Sequence, residues 1–141
     1  MDYISAMEPA LQAARQCLEE NIDVPVGCAI YKDGQLLAVA SNTRQKDKDI
    51  TGHAEIKAIK EACGKISDWR LTDCILFVTL EPCPMCSGAI REARISTVVY
   101  GAPRQEGPRC HEILPEDIKI FPGICEKESG ELLHRFFQLR R

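Results

Sequence analysis

Residues 75–86 read Ile75-Leu76-Phe77-Val78-Thr79-Leu80-Glu81-Pro82-Cys83-Pro84-Met85-Cys86, and this passage decides the fold. Its first half is a near-continuous apolar run of strand length, the pattern of a strand covered on both faces. Pro82 and Pro84 end that strand. From Cys83 to Arg94 the apolar residues Met85, Ala89, Ile90 and Ala93 return at helical spacing, and a proline is tolerated in a helix's first turn. A central strand therefore feeds directly into a helix whose first turn carries two cysteines.

Working outward, the β-branched run Thr97 to Tyr100 predicts a further strand. Strands alternating with helices imply parallel pairing, with helices on both faces of the sheet. Upstream, Val26 to Tyr31 and Leu36 to Ala40 flank Lys32-Asp33-Gly34-Gln35, a strong hairpin signal. Asp2 to Glu20 carries Ile4, Met7, Leu11, Ala14 and Leu18 as the stripe of an amphipathic helix. Asn42 to Gly52 is polar and reads as a solvated loop. A helix is expected from His53, with Ile56, Ile59 and Cys63 on one face and Gly64 as its cap. Downstream, Gly101 to Pro115 is a Gly/Pro-rich loop, and Ile118 and Ile120 mark a short last strand. Glu126 to Arg140 reads as a closing helix with Leu132, Leu133, Phe136 and Phe137 as its buried stripe, stacking of one phenylalanine on a nucleobase being the lesser alternative.

With 141 residues, 45% hydrophobic and 28% charged, the chain suits one compact domain, 1–141, and is unlike a disordered or fibrous polypeptide. No apolar stretch approaches the roughly 20 residues that cross a bilayer, so no membrane association is expected. The N-terminus has no basic segment followed by an apolar one, which points to the cytoplasm. The eight cysteines, in a chain with ample Ile, Leu and Val, are expected as reduced thiols.

Two segments carry chemistry: His53-Ala54-Glu55 at a helix start, and Pro82-Cys83-Pro84-Met85-Cys86 at the strand-to-helix junction. His53, Cys83 and Cys86 supply three zinc ligands, and helix-start N–H groups favour thiolates. Three ligands with no fourth is the arrangement of catalytic zinc, whose open position holds a water. Glu55, two residues from a ligand, is then the proton carrier between that water and a leaving amine. The competing reading is a non-catalytic zinc module closed by Cys110 or His111. A Cys-x-x-Cys redox pair is a weaker alternative, because the His-x-Glu segment favours zinc.

These two segments resemble the zinc site of the cytidine deaminase superfamily, whose base-modifying members carry this His-x-Glu and Pro-Cys-x-x-Cys signature. Within it the chain most resembles bacterial tRNA adenosine deaminases, through Val24-Pro25-Val26-Gly27, His53-Ala54-Glu55-Ile56, Thr79-Leu80-Glu81-Pro82-Cys83, Val98-Val99-Tyr100-Gly101-Ala102 and Phe136-Phe137-Gln138-Leu139-Arg140-Arg141. The resemblance implies a three-layer α/β/α sandwich around a five-stranded mixed sheet, one Zn2+ per chain, and hydrolytic removal of a nucleobase amino group as ammonia. It implies adenosine-to-inosine conversion in the tRNA anticodon loop and a homodimer. It also implies that Asn42 contacts the target base or its sugar, and that Val26 and the backbone of Ala54 line the base pocket.

The chain departs from that pattern after Ala102. The tRNA-acting family continues with Asp and a Lys-x-Gly loop, whereas here Pro103-Arg104-Gln105-Glu106-Gly107-Pro108-Arg109 follows. The segment from Gly101 to the last helix is short, nearer in length to free-cytosine deaminases, yet Glu81 stands where those enzymes usually have Ser. A free-base or nucleoside substrate, cytosine or guanine, is therefore the alternative to tRNA. The net charge of −3 offers no overall basic excess for a nucleic acid. Arg104, Arg109, Arg135, Arg140 and Arg141 could instead form a local patch at the site mouth, with Arg104 as its substrate contact.

Overall fold

The computed structural model describes residues 1–141. Helix α1 (Tyr3–Glu20) is followed by the hairpin β1 (Gly27–Lys32) and β2 (Gln35–Ser41). Asp33 and Gly34 form its two-residue turn, both at positive φ (50° and 77°), the left-handed pair that matches strand twist in tight hairpins. Next come a one-turn helix α2 (Arg44–Asp47), helix α3 (Ala54–Ile66), strand β3 (Cys74–Leu80) and helix α4 (Pro84–Glu92). Strand β4 (Thr97–Ala102), a 3-10 turn at Cys110–Glu112, strand β5 (Lys119–Phe121) and helix α5 (Glu126–Gln138) complete the chain.

All strands join one five-stranded sheet in the order β2-β1-β3-β4-β5. β1 pairs antiparallel with both β2 and β3, while β3, β4 and β5 run parallel. The parallel expectation therefore holds for the strands linked by helices, and the hairpin supplies the antiparallel part. One face packs Cys28, Ile30, Leu76, Val78 and Val98 against Ala54, Ala58 and Ala62 of α3 and Ile90 of α4. The other packs Ala29, Tyr31, Phe77 and Val99 against α1 and against Leu132 and Phe136 of α5. The result is the expected three-layer sandwich with β3, almost wholly buried, at its centre. Contact between α1 and β1 is close at Gly27, where a Cβ would lie 1.8 Å from the Ala10 carbonyl oxygen.

Several local expectations are corrected. Gly64 lies inside α3, which runs to Ile66 and ends on Ser67 in the left-handed conformation. The stretch Asn42 to Gly52 is not simply a solvated loop. Buried Asp23 accepts the backbone N–H groups of Gln45 (2.7 Å) and Lys46 (3.1 Å), satisfying the free donors at the start of α2. In α5, Leu132 and Phe136 share the sheet-facing side, but Phe137, about 100° further round the helix, is 51% exposed. The eight cysteines are free thiols, as expected.

Candidate active site

Two helix N-termini converge beside the end of β3. His53 is the N-cap of α3, Cys83 is the N-cap of α4, and Cys86 lies in the first turn of α4. The chain reverses at Pro82-Cys83-Pro84, and Cys83 Sγ accepts the Cys86 N–H at 3.5 Å. His53 Nδ1 stands 3.5 Å from both Cys83 Sγ and Cys86 Sγ, and the three donor atoms lie within 4.8 Å of one another. Tetrahedral zinc, with bonds of about 2.3 Å to sulfur and about 2.0 Å to nitrogen, requires an N···S separation of about 3.5 Å. The donor set fits zinc in both chemistry and spacing.

Cys110 and His111 do not close this set. The Cys110 thiol is buried, and the residue's backbone N–H donates to Glu81 at 2.8 Å. Three protein donors beside a cleft are the open arrangement of catalytic zinc, and the closed structural module is not what the chain builds.

The electrostatics favour a thiolate at Cys83. The hydrogen bond from the Cys86 thiol, the neighbouring His53 imidazole and the Cys86 N–H bring the Cys83 thiol down to about 3 despite its burial. Cys86, facing that thiolate and buried, is pushed far up instead. The contact with Cys83 raises His53. Glu55 is 4% exposed, and burial, reinforced by the Cys83 charge, pushes its carboxyl up to about 7. A carboxyl poised near neutrality suits a group that must both take and give a proton.

The cleft of about 480 Å³ is lined by His53, Glu55 and Cys83 at its floor and by Val26, Asn42 and Leu80 on its walls. At its mouth the exposed Arg44, Phe137 and Arg140, the last tied to Asn21 at 2.6 Å, join half-buried Arg104 in the lining. Val26, Asn42 and Arg104 thus line the cleft. Ala54, between His53 and Glu55, is not itself part of the lining: it is fully buried, and its N–H is taken by Asn42 Oδ1 at 2.9 Å. Arg109 also leaves the expected basic patch, because its Nε is held by both Glu81 carboxylate oxygens at 2.8 and 3.0 Å. Sequence reading missed Asp23 and gave Glu81 no role, since what each does depends on distant backbone. It favoured the core for Phe137, with base stacking as the lesser reading, and the side chain is exposed beside the cleft.

A family profile described as the cytidine and deoxycytidylate deaminase zinc-binding region matches residues 2–102. The chain belongs to this deaminase family. It is 38% identical to the tRNA-specific adenosine deaminase of Agrobacterium fabrum, an alignment covering 96% of this chain and 93% of that one. A solved structure from studies of A-to-I editing by tRNA:A34 deaminases at the wobble position superposes with a TM-score of 0.83 at 37% identity, covering 90% of this chain and 97% of that chain. The guanine deaminase of Bacillus subtilis superposes with a TM-score of 0.70 at 39% identity, covering 73% and 66%. This deaminase is accordingly a zinc-dependent hydrolase with one Zn2+ per chain.

Proposed function

We infer that this deaminase converts adenosine to inosine in the anticodon loop of tRNA. The observation that carries the reading is the 38% identity to a tRNA-specific adenosine deaminase over almost the full length of both chains. The cleft mouth adds physical support. Arg44, Arg104 and Arg140 supply positive charge there despite the net −3, and exposed Phe137 offers a face on which a base can stack.

His53, Cys83 and Cys86 hold the zinc. When bound, the metal supplies a water acidified toward neutrality. Glu55 takes the proton from the attacking water and delivers it to the base, so that oxygen adds at the ring carbon bearing the amine. Glu55 then takes the proton of the added hydroxyl and passes it to the amine as the carbon–nitrogen bond breaks, leaving the ring carbonyl, so that adenosine plus water becomes inosine plus ammonia. Val26 packs against the base. Asn42 fastens the wall beside it, with one amide hydrogen and one lone pair left for the nucleotide. Arg104 donates to the substrate strand.

Residues 1–141 act as a single deaminase domain, paired as a homodimer in the cytoplasm. No helix of the chain is long and apolar enough to cross a membrane. The test is ammonia release by the zinc-loaded protein, assayed in parallel on an adenosine-containing anticodon stem-loop and on free adenosine, cytosine and guanine. Inosine formed in the RNA alone supports the reading. Turnover of a free base alone, such as guanine, overturns it and makes the 103–109 segment the wall of a small-molecule pocket.

A further inference from the structure

Glu81 is 1% exposed, and a carboxylate so buried is costly unless its lone pairs are satisfied. They are, and every donor comes from one segment. Oε1 accepts the Arg104 N–H (3.1 Å) and Arg109 Nε (2.8 Å). Oε2 accepts the Cys110 N–H (2.8 Å) and again Arg109 Nε (3.0 Å). Arg109 reaches on to the Tyr100 hydroxyl at 3.4 Å. The Glu81 N–H in turn donates to the Ala102 carbonyl at 2.8 Å, so residue 81 grips the chain on both sides of Pro103. None of its hydrogen bonds goes to His53, Cys83 or Cys86.

What this grip presents is Arg104. Its side chain lines the catalytic cleft and also a second groove, bounded by Ala102 and Gln105, by Lys127 and His134 of α5, and by the acidic Glu106, Glu126 and Glu131. Val24, Leu80, Arg104 and Phe137 are common to both, so Arg104 stands where the two adjoin. Its Nε is buried and has no hydrogen-bond partner, an exception among buried donors that points to a missing acceptor. Arg109, by contrast, is engaged by Glu81 through Nε and by the Tyr100 hydroxyl through Nη2.

We propose that Glu81 is a specificity-determining positioning residue: by saturating its carboxylate with residues 104–110 it holds Arg104 preset at the junction of the two grooves, where the guanidinium binds a phosphate beside the target base. A guanidinium carried on a fixed backbone loses less freedom on binding a phosphate oxygen than one on a mobile loop. The proposal rests on the tRNA reading for its substrate, but the grip on the 104–110 segment can be tested without it.

The experiment compares Glu81→Gln, Arg104→Ala and the double variant on the stem-loop, with zinc content measured for each. Glu81→Gln is expected to raise KM about tenfold with kcat within about twofold, the signature of lost binding shared by ground and transition states. Zinc stays at one per chain. In the Arg104→Ala background the same substitution should change KM no further, because its effect passes through that arginine. A neutral methylphosphonate beside the target adenosine should likewise erase the effect of Arg104→Ala. An undiminished Glu81→Gln effect in the Arg104→Ala background overturns the proposal, and so does loss of zinc with Glu81→Gln. If Glu81→Gln does not fold, Arg109→Gln, which removes one of the three donors, should give a smaller KM increase that also vanishes without Arg104. If the wild type turns over no RNA, the tRNA reading fails by itself. Amide hydrogen exchange then decides the grip: faster exchange at residues 104 and 110 in Glu81→Gln but not in Arg104→Ala supports it, and unchanged exchange overturns it.

Discussion

Asn42 Oδ1 accepts the backbone N–H of Ala54 at 2.9 Å, while Asn42 Nδ2 donates to the Val24 carbonyl at 3.0 Å. One side chain thus ties the end of β2 to the start of the helix that carries His53 and Glu55, and to the segment before β1. An asparagine that resemblance places on the substrate is first of all a strut of the metal-bearing helix. Asn42→Ala leaves the partly buried Ala54 N–H unpaired and takes one donor from the Val24 carbonyl, which keeps the Val26 N–H, a loss of about 1–3 kcal/mol. Urea unfolding should show it, together with faster zinc loss to a chelator. Unchanged stability and zinc retention would mean that the amide serves substrate alone.

Glu55→Gln should separate chemistry from folding. It removes a carboxyl that burial disfavours in its charged form, so thermal stability should be equal or higher. Zinc content should stay at one per chain, while kcat falls by about 10²- to 10⁴-fold with the loss of acid–base work. A fully active variant would falsify the assignment of Glu55 as proton carrier.

Metal removal should act on activity and stability together. His53, Cys83 and Cys86 cap or open two helices, so zinc held there pins α3 to α4. Extended chelation is expected to abolish ammonia release and lower Tm, with both restored by added zinc. Cys86→Ser should resist restoration, because a hydroxyl does not replace a thiolate ligand.

The adjacent phenylalanines of α5 should respond oppositely. Phe136→Ala empties a site that is 4% exposed and should cost about 3 kcal/mol of stability. Phe137→Ala, at 51% exposure, should leave Tm nearly unchanged and weaken stem-loop binding by about tenfold or more, the scale of one lost base–aromatic stack. Fluorescence anisotropy with a labelled stem-loop reads the second effect. Equal affinity for both proteins would remove Phe137 from the RNA path.

Gly27→Ala should be among the most damaging single-methyl additions in the chain. Its Cβ would sit 1.8 Å from the backbone oxygen of Ala10, and a helix backbone cannot yield as a flexible side chain does. A loss of at least about 2 kcal/mol is expected from overpacking at this contact. Thermal denaturation of the zinc-loaded protein measures it.

The elements themselves were legible. The apolar run at 75–80, the Asp33-Gly34 turn and the stripe of α1 each carry their signal within one strand, turn or helix, and each forms close to where it was expected. The zinc donors were legible for a related reason. Cys83 and Cys86 sit three residues apart in one helical turn, and His53 is itself a helix cap, so local geometry aims them.

The sequence by itself determined the layers, the hairpin and the ligand triad, and made Glu55 the candidate proton carrier, because periodicity and short spacing act over one turn or one strand. Only the tertiary structure decided that Asp23 caps α2, that Asn42 takes the Ala54 N–H, that Glu81 neutralises Arg109 and leaves Arg104 free, and that Phe137 faces the cleft. Each of these joins residues brought together by the sheet across 12 or more positions of chain, or turns on which side of a helix meets the sheet. A buried carboxylate or amide bonds whichever backbone donors the fold delivers to it, and which donors those are is a property of packing.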